Sequence, residues 1–257
     1  MGELRSVRNG AATVVYRAEG EGPPVMVIAS TGRGTEEFGP LSRCLVGRGF
    51  RVLRPEPRGI GGSTGPMDGV SFHDFADDFA AVIRAEGGGP AIVAGHAYGN
   101  WIARTIAADH PDLVRGVVLV AAGARNMPKE LSATIDVIAD PAAPEERRLA
   151  GLRLAFFAAG SDPRPWLDGW HAEVTASQRA ARGRSGESWR TAGSVPVLDL
   201  QAAADPFRPP ESRDELRAEF GDRLTVQAIA GASHALPAEK PDAVADAIAG
   251  WAACLPA

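Results

Sequence analysis

The chain has 257 residues, of which 45% are hydrophobic and 23% are charged, and its formal net charge is −5. This length suits one large α/β domain, or such a domain with a small insert. A slightly acidic chain without a block of Lys and Arg is not expected to bind nucleic acid. No run of 18 apolar residues occurs, so we expect no membrane span. Two distant cysteines and a start without an apolar segment predict a cytoplasmic protein.

Strand and helix patterns alternate along the first half of the chain. Residues 12–18 alternate apolar and polar side chains, which is typical of an antiparallel edge strand. Residues 25–29 are continuously apolar, as in a buried central strand. Residues 71–89 carry apolar side chains at helical steps and end in three glycines. The remaining predictions in this half are helices at 41–50 and 100–110 and strands at 51–56, 91–95 and 114–122.

The second half resumes the alternation after a long interruption. Strands are predicted at 195–203 and 224–230, and a last helix at about 238–252. Strands that alternate with helices predict a mostly parallel sheet flanked by helices on both faces. The interruption, residues 123–192, has helical segments such as 144–160 and holds three of the five tryptophans. We therefore predict a core made of residues 1–122 and 193–257, with residues 123–192 inserted as a helical lid over the carboxyl ends of the strands.

One motif lies between the strand at 91–95 and the helix at 100–110. It is Gly95-His96-Ala97-Tyr98-Gly99, which has the spacing of a nucleophile elbow, a turn so sharp that glycine is needed on either side. The central position, where a serine is expected, is Ala97. A methyl group cannot attack a carbonyl or form an acyl-enzyme. His96 is expected to pack beneath the sheet edge.

Two polar residues follow later strands in a meaningful order. Asp205 comes just after the strand at 195–203, and His234 lies between the last strand and the last helix. An elbow followed by an acid and then a histidine is the order of a nucleophile–acid–base triad on this kind of sheet. We predict that His234 is a base and that Asp205 holds its imidazole in one tautomer. Asp199, inside the strand, is the less favoured acid.

With these residues in place, the chain resembles the α/β-hydrolase superfamily over nearly its whole length. The similar segments are PPVMVIASTGRG (23–34), RPEPRGIGGST (54–64) and DHPDLVRGVVLV (109–120). The resemblance implies an α/β-hydrolase fold with a small helical lid. It also implies an oxyanion hole formed by the backbone N–H groups of Tyr98 and Thr31.

Four further residues are predicted to bind substrate. Ser30 and Arg33 lie in the loop after the first central strand, where Arg33 would clamp a carboxylate or a developing anion. Trp166 and Trp170 of the lid favour an apolar or aromatic substrate. The histidines are scattered, the cysteines are unpaired and no Gly-x-Gly-x-x-Gly follows the first strand, so we expect neither a metal nor another cofactor.

Ala97 leaves three hypotheses open. The chain is a serine hydrolase whose nucleophile has been replaced by design, or an enzyme in which His234 and Asp205 work without a covalent intermediate, or a silent small-molecule binding protein. The favoured function is cleavage of a small organic substrate at an ester, lactone or related carbonyl. The alternative enzyme is a lyase, decarboxylase or isomerase. Both a homodimer and a monomer are compatible with the sequence.

Overall fold

The computed structural model describes residues 2–256, apart from the side chain of Lys129. Within them, eight strands form one sheet in the order β1-β2-β4-β3-β5-β6-β7-β8. β1 and β2 are antiparallel neighbours, β2 and β4 are also antiparallel, and all other neighbouring pairs are parallel. The strands are β1 (Glu3–Asn9), β2 (Ala12–Glu19), β3 (Pro24–Ile28), β4 (Arg51–Pro55), β5 (Ala91–His96), β6 (Val114–Val120), β7 (Val197–Ala202) and β8 (Leu224–Ile229).

The amino-terminal edge of the sheet differs from the prediction. β1 was not predicted, because Leu4 and Val7 are its only apolar residues and Leu4 is 59% exposed. Its backbone pairs along the whole length of β2. The prediction that residues 12–18 form an edge strand is therefore wrong, although the antiparallel pairing is correct. β1 is held mainly by ladder hydrogen bonds, which leave little trace in hydrophobic patterning.

Helices cover both faces of the sheet. Alternate residues of β3 belong to different cores: Met26 and Ile28 pack in one buried cluster, and Val25 and Val27 in another. Successive side chains of a strand point to opposite faces, so each face needs its own helical cover. The helices are α1 (Gly39–Gly47), α2 (Phe72–Ala85), α3 (Gly99–Asp109), α4 (Lys129–Ala139), α5 (Glu145–Ala155), α6 (Ala172–Arg182), α7 (Arg217–Phe220), α8 (Leu236–Glu239) and α9 (Pro241–Ala252).

Each face is covered by the helices that the patterns predicted. α2 and α3 pack together on one face, and α1 and α9 on the other. α2 begins with a capping box in which the backbone N–H of Ser71 donates to Asp74 at 2.8 Å. None of the described helices is long and apolar enough to cross a membrane.

Residues 123–192, the cap segment, contain α4, α5 and α6. Buried side chains of α4, of α5 and of the residues after α5 form a third cluster that includes Leu152, Phe156 and Trp166. Phe207 and Ala235, from the loops that follow β7 and β8, belong to the same cluster. The cap segment therefore packs over the carboxyl ends of these two parallel strands.

Candidate active site

The turn between β5 and α3 holds Ala97 in an unusual conformation. Its φ is +47°, in the left-handed region that L-residues seldom adopt. The Ala97 N–H donates to the carbonyl of Val120 at 3.0 Å, and the Ala97 carbonyl accepts the N–H of Asn100 at 3.1 Å. A Cβ atom on Gly99 would lie 2.6 Å from the carbonyl oxygen of Ile28, so this position requires glycine. The backbone thus forms the sharp elbow turn with a methyl group at its apex.

Asp205 and His234 meet beside this turn. His234 Nδ1 lies 2.8 Å from Asp205 Oδ2, and the other carboxylate oxygen accepts the N–H of Phe207 at 2.8 Å. The two residues are 3% and 5% exposed. An ionised carboxylate only accepts hydrogen bonds, so His234 Nδ1 carries the proton and Nε2 keeps a lone pair. This is the tautomer that a general base needs.

Two neighbours hold the backbone of the site and were not predicted to do so. His96 Nε2 donates to the carbonyl of His234 at 2.7 Å, and the side-chain amide of Asn100 donates to the carbonyl of Ala97. His96 is fully buried. Burial lowers its pKa to about 3, and repulsion from His234 adds to this. His96 therefore stays neutral and positions His234 through the backbone. Asn100 follows the elbow directly, and its place at the start of the predicted helix was the available clue.

A cavity of about 90 Å³ adjoins Ala97 and His234. It brings together the predicted residues Ser30, Thr31 and Trp170. Most of its wall is apolar, as is typical of small-molecule sites. The other lining residues are Tyr98, Asn100, Trp101, Gly123, Ala124, Met127, Ile135, Phe156 and Phe207.

The two residues expected to supply the oxyanion hole also border this cavity. Thr31 and Tyr98 both line it. Among the hydrogen bonds of the described residues, none uses the N–H group of either one. The loop that carries Thr31 is tied to the cap segment, since the Gly32 N–H donates to Gln178 Oε1 at 2.8 Å and the Gly32 carbonyl accepts the N–H of His171 at 2.9 Å. Two hydrogen bonds to the cap segment therefore hold the loop that carries Thr31.

Arg33 and Trp166 do not line the cavity, so their placement does not support the predicted contact with substrate. The Arg33 guanidinium lies 4.3 Å from the ring centroid of Trp166 and 4.5 Å from that of Trp170. Its Nε pairs with Glu37 at 2.5 Å, and Nη1 donates to the carbonyl of Asp168 at 3.1 Å. Arg33 is 4% exposed and uses its donors within the protein. It fastens the cap segment to the loop after β3.

Asp199 has a separate environment. It lies inside β7, fully buried, where Arg208 Nη2 is 3.3 Å from Oδ2 and Gln201 donates to the same oxygen at 2.7 Å. Burial raises the pKa of this carboxyl group. The structure pairs Asp205 with His234 and leaves Asp199 in an ion pair of the core.

The described side chains place no group of three or more His, Cys, Asp or Glu residues where they could hold a metal ion. Cys44 is half-buried and Cys254 is exposed, and both are free thiols. The titratable pair of the site is the imidazole of His234 and the carboxylate of Asp205, and the cavity wall adds polar side chains, those of Ser30, Thr31, Tyr98 and Asn100. These groups suit proton transfer and the stabilisation of an oxyanion.

Comparison with known proteins agrees with this architecture. A model of the alpha/beta hydrolase family matches residues 29–247. The 2-(acetamidomethylene)succinate hydrolase of Mesorhizobium japonicum is 37% identical over 116 residues, which are 45% of this chain and 41% of that protein. The pyrrolizixenacetamide deacetylase of Xenorhabdus hominickii is 30% identical over 120 residues, 46% of this chain and 45% of that protein. The chain thus spans less than half the length of these relatives.

A solved structure extends the likeness to the whole fold. The enol-lactonase from Burkholderia xenovorans LB400 superposes with a TM-score of 0.80, covering 97% of this chain and 100% of that one at 20% identity. At that identity the likeness concerns the fold alone. The predicted fold class, a mostly parallel sheet flanked by helices in the α/β-hydrolase arrangement, is confirmed.

Proposed function

Because this chain belongs to the α/β-hydrolase family, we propose that it hydrolyses a small organic substrate at an ester, lactone or related carbonyl group. In this proposal His234 is the base, Asp205 orients it and water is the nucleophile, since Ala97 has no group that could attack. The N–H groups of Tyr98 and Thr31 would stabilise the oxyanion. The names of the matched relatives support cleavage next to a carbonyl, because they are called a hydrolase and a deacetylase.

One observation carries the proposal. The pair of His234 and Asp205 is intact, at 2.8 Å, and His234 faces the same cavity as the methyl group of Ala97. Burying a carboxylate and an imidazole is costly unless they pair, and a pair beside a cavity is available for chemistry. A protein that only bound ligands would need neither the tautomer that Asp205 enforces nor a free lone pair on Nε2.

The geometry supports a single displacement. His234 Nε2 takes a proton from water as the water oxygen attacks the carbonyl carbon. The charge that develops on the carbonyl oxygen is met by the N–H group of Tyr98, at the amino-terminal end of α3, and by that of Thr31, in the loop after β3. Collapse of the tetrahedral intermediate breaks the bond to the leaving oxygen, and the imidazolium of His234 returns the proton to it. One ester and one water give one acid and one alcohol.

A second enzyme function is favoured by Ala97 itself. A site that keeps its base but has no nucleophile also suits removal of a proton from the substrate, as in a lyase or an isomerase. In a decarboxylase the imidazolium of His234 would instead protonate the carbanion that loss of CO2 leaves. The same oxyanion donors would stabilise an enolate.

We further propose that residues 123–192 act as an inserted lid, since Met127, Ile135, Phe156 and Trp170 close one side of the cavity.

The test is a hydrolysis assay on activated esters and lactones with this chain and three variants. Ala97→Ser should raise kcat/KM by about 10³, because the elbow would present a hydroxyl beside a prepared base. His234→Ala should abolish turnover and leave ligand binding largely intact. Ala253→Ser, the same substitution at an exposed position, is the matched control and should change nothing.

The other outcomes are equally informative. If serine adds little while His234→Ala abolishes a reaction on a substrate proton, the second function is correct. If none of the variants turns over any substrate but the chain binds small molecules, the hydrolase proposal is wrong and the protein is a receptor.

A further inference from the structure

A larger groove adjoins the cavity at Ala97. A second cavity of about 490 Å³ shares Trp101, Gly123, Ala124 and Met127 with the 90 Å³ cavity at Ala97. We call it the arginine groove, because Arg104, Arg125, Arg182 and Arg190 all line it. A substrate whose reacting carbonyl lies at Ala97 and is too long for the small cavity would extend into this groove.

Three of the four guanidinium groups are already paired. Arg104 is buried, and its Nη1 lies 3.1 Å from Glu219 Oε2. Arg125 pairs with Glu219 as well. Arg190 pairs with Glu187. Each of these guanidinium groups thus already has a carboxylate of the protein beside it.

Arg182 has no such partner. Among the described residues, no ion pair or hydrogen bond engages its side chain. It lies in the last turn of α6 and is exposed, and its guanidinium is 4.7 Å from the ring centroid of Trp101. Trp101 also lines the catalytic cavity. A guanidinium stacked on an aromatic face keeps its N–H edges free for a planar anion.

The charge balance of the groove favours a single negative charge. Four arginines face three glutamates, Glu187, Glu215 and Glu219, so one positive charge is in excess. A carboxylate carries one negative charge, which balances this excess. It also binds a guanidinium in a bidentate arrangement of two N–H···O hydrogen bonds. The chain as a whole carries a net charge of −5 and would repel an anion at long range, so a local cation is needed to hold one.

We propose that the substrate carries a carboxylate at the end remote from its reacting carbonyl and that Arg182 binds it. This inference rests on the proposed function for the identity of the reacting group. The substrate class would then be the monoester or monoamide of a short dicarboxylic acid, or a lactone that carries a carboxylate. Arg182 is a specificity residue in this arrangement and takes no part in proton transfer.

The experiment compares the binding of monomethyl adipate and dimethyl adipate by titration calorimetry at pH 7.5 and low salt. The two esters differ only in the charge at one end. The monoester should bind about tenfold more tightly, because a charge-assisted hydrogen bond replaces a neutral contact. Arg182→Gln should remove this preference. Arg179→Gln, one helical turn away on α6 and outside the groove, should retain it.

Three results would overturn the inference: equal binding of the two esters, a preference that survives Arg182→Gln, or no binding of the monoester. Circular dichroism should show that Arg182→Gln folds, since the side chain is exposed. The measurement needs no turnover, so an inactive chain that prefers the monoester would contradict the proposed function and leave this inference standing. In an active Ala97→Ser protein, Arg182→Gln should raise KM for the monoester about tenfold with kcat unchanged.

Discussion

The sheet and the cap segment each supply one wall of the cavity at Ala97, and they hold it by different means. On the sheet side, backbone hydrogen bonds fix Ala97, with its N–H on the carbonyl of Val120 at 3.0 Å. On the cap side, aromatic packing holds the wall, with Phe156 and Trp170 at a centroid distance of 5.8 Å. Arg33, stacked on Trp166 and Trp170, joins the two sides.

This difference shows where the molecule tolerates change. The shape of the elbow comes from its glycines and backbone, so the side chain at position 97 can be exchanged with little effect on folding. The cap wall takes its shape from side chains, so changes there alter both the cavity and the stability. On the sheet side, a substitution can therefore change the chemical groups of the site without changing the fold. On the cap side, a substitution changes the shape of the cavity and the stability together.

The largest expected effect concerns the two buried aspartates of the sheet side. In the Ala97→Ser background, Asp205→Asn should lower kcat by about 10⁴, because an amide favours the wrong tautomer of His234. Its effect on the free energy of unfolding should be small. Asp199→Asn should show the opposite pattern, with activity per folded molecule retained and stability reduced, because Arg208 loses a charged partner. Kinetics and urea unfolding of both variants check this, and equal kinetic losses would refute the assignment of Asp205.

The next largest effect concerns the link between the two walls. Arg33→Met should lower the free energy of unfolding by about 3 kcal/mol, because it leaves the buried carboxyl group of Glu37 without its cation. Burial already raises the pKa of Glu37. Arg33→Met combined with Glu37→Gln should recover much of that loss. Urea unfolding measures both, and a double variant no more stable than Arg33→Met would show that stacking on the tryptophans is the main contribution.

The smallest effect is a pH dependence from His96. Its pKa is about 3 in the folded protein, below the value of about 6.5 for an unfolded chain, so only the unfolded state takes up a proton between these limits. Stability from this residue is complete above pH 6.5 and declines as the pH falls towards 3. By pH 5.0 the loss should be about 2 kcal/mol relative to pH 7.5.

His96→Gln keeps a donor for the carbonyl of His234 and has no group that titrates in this range. The difference in unfolding free energy between pH 7.5 and pH 5.0 should therefore shrink by about 2 kcal/mol in this variant. An unchanged difference would show that other groups cause the acid sensitivity.

Local sequence was sufficient for much of the fold. The apolar runs at β3, β5 and β6 mark buried parallel strands, since both of their faces are covered and continuous hydrophobicity results. β1 was not predicted because backbone hydrogen bonds to β2 hold it in place. Any sequence can form such bonds, so they leave no pattern of apolar residues. The cytoplasmic location stays a prediction.

The sequence by itself determined the elbow and the order of Ala97, Asp205 and His234, because glycine requirements and strand-loop-helix rhythm are local properties. Only the tertiary structure decided what the distant side chains do. It placed Arg33 between Trp166 and Trp170, with Glu37 as its partner. It also placed Arg182 beside Trp101 in the arginine groove. A charged side chain serves structure or ligand according to whether folding brings it a partner, and that depends in part on residues far away in the sequence.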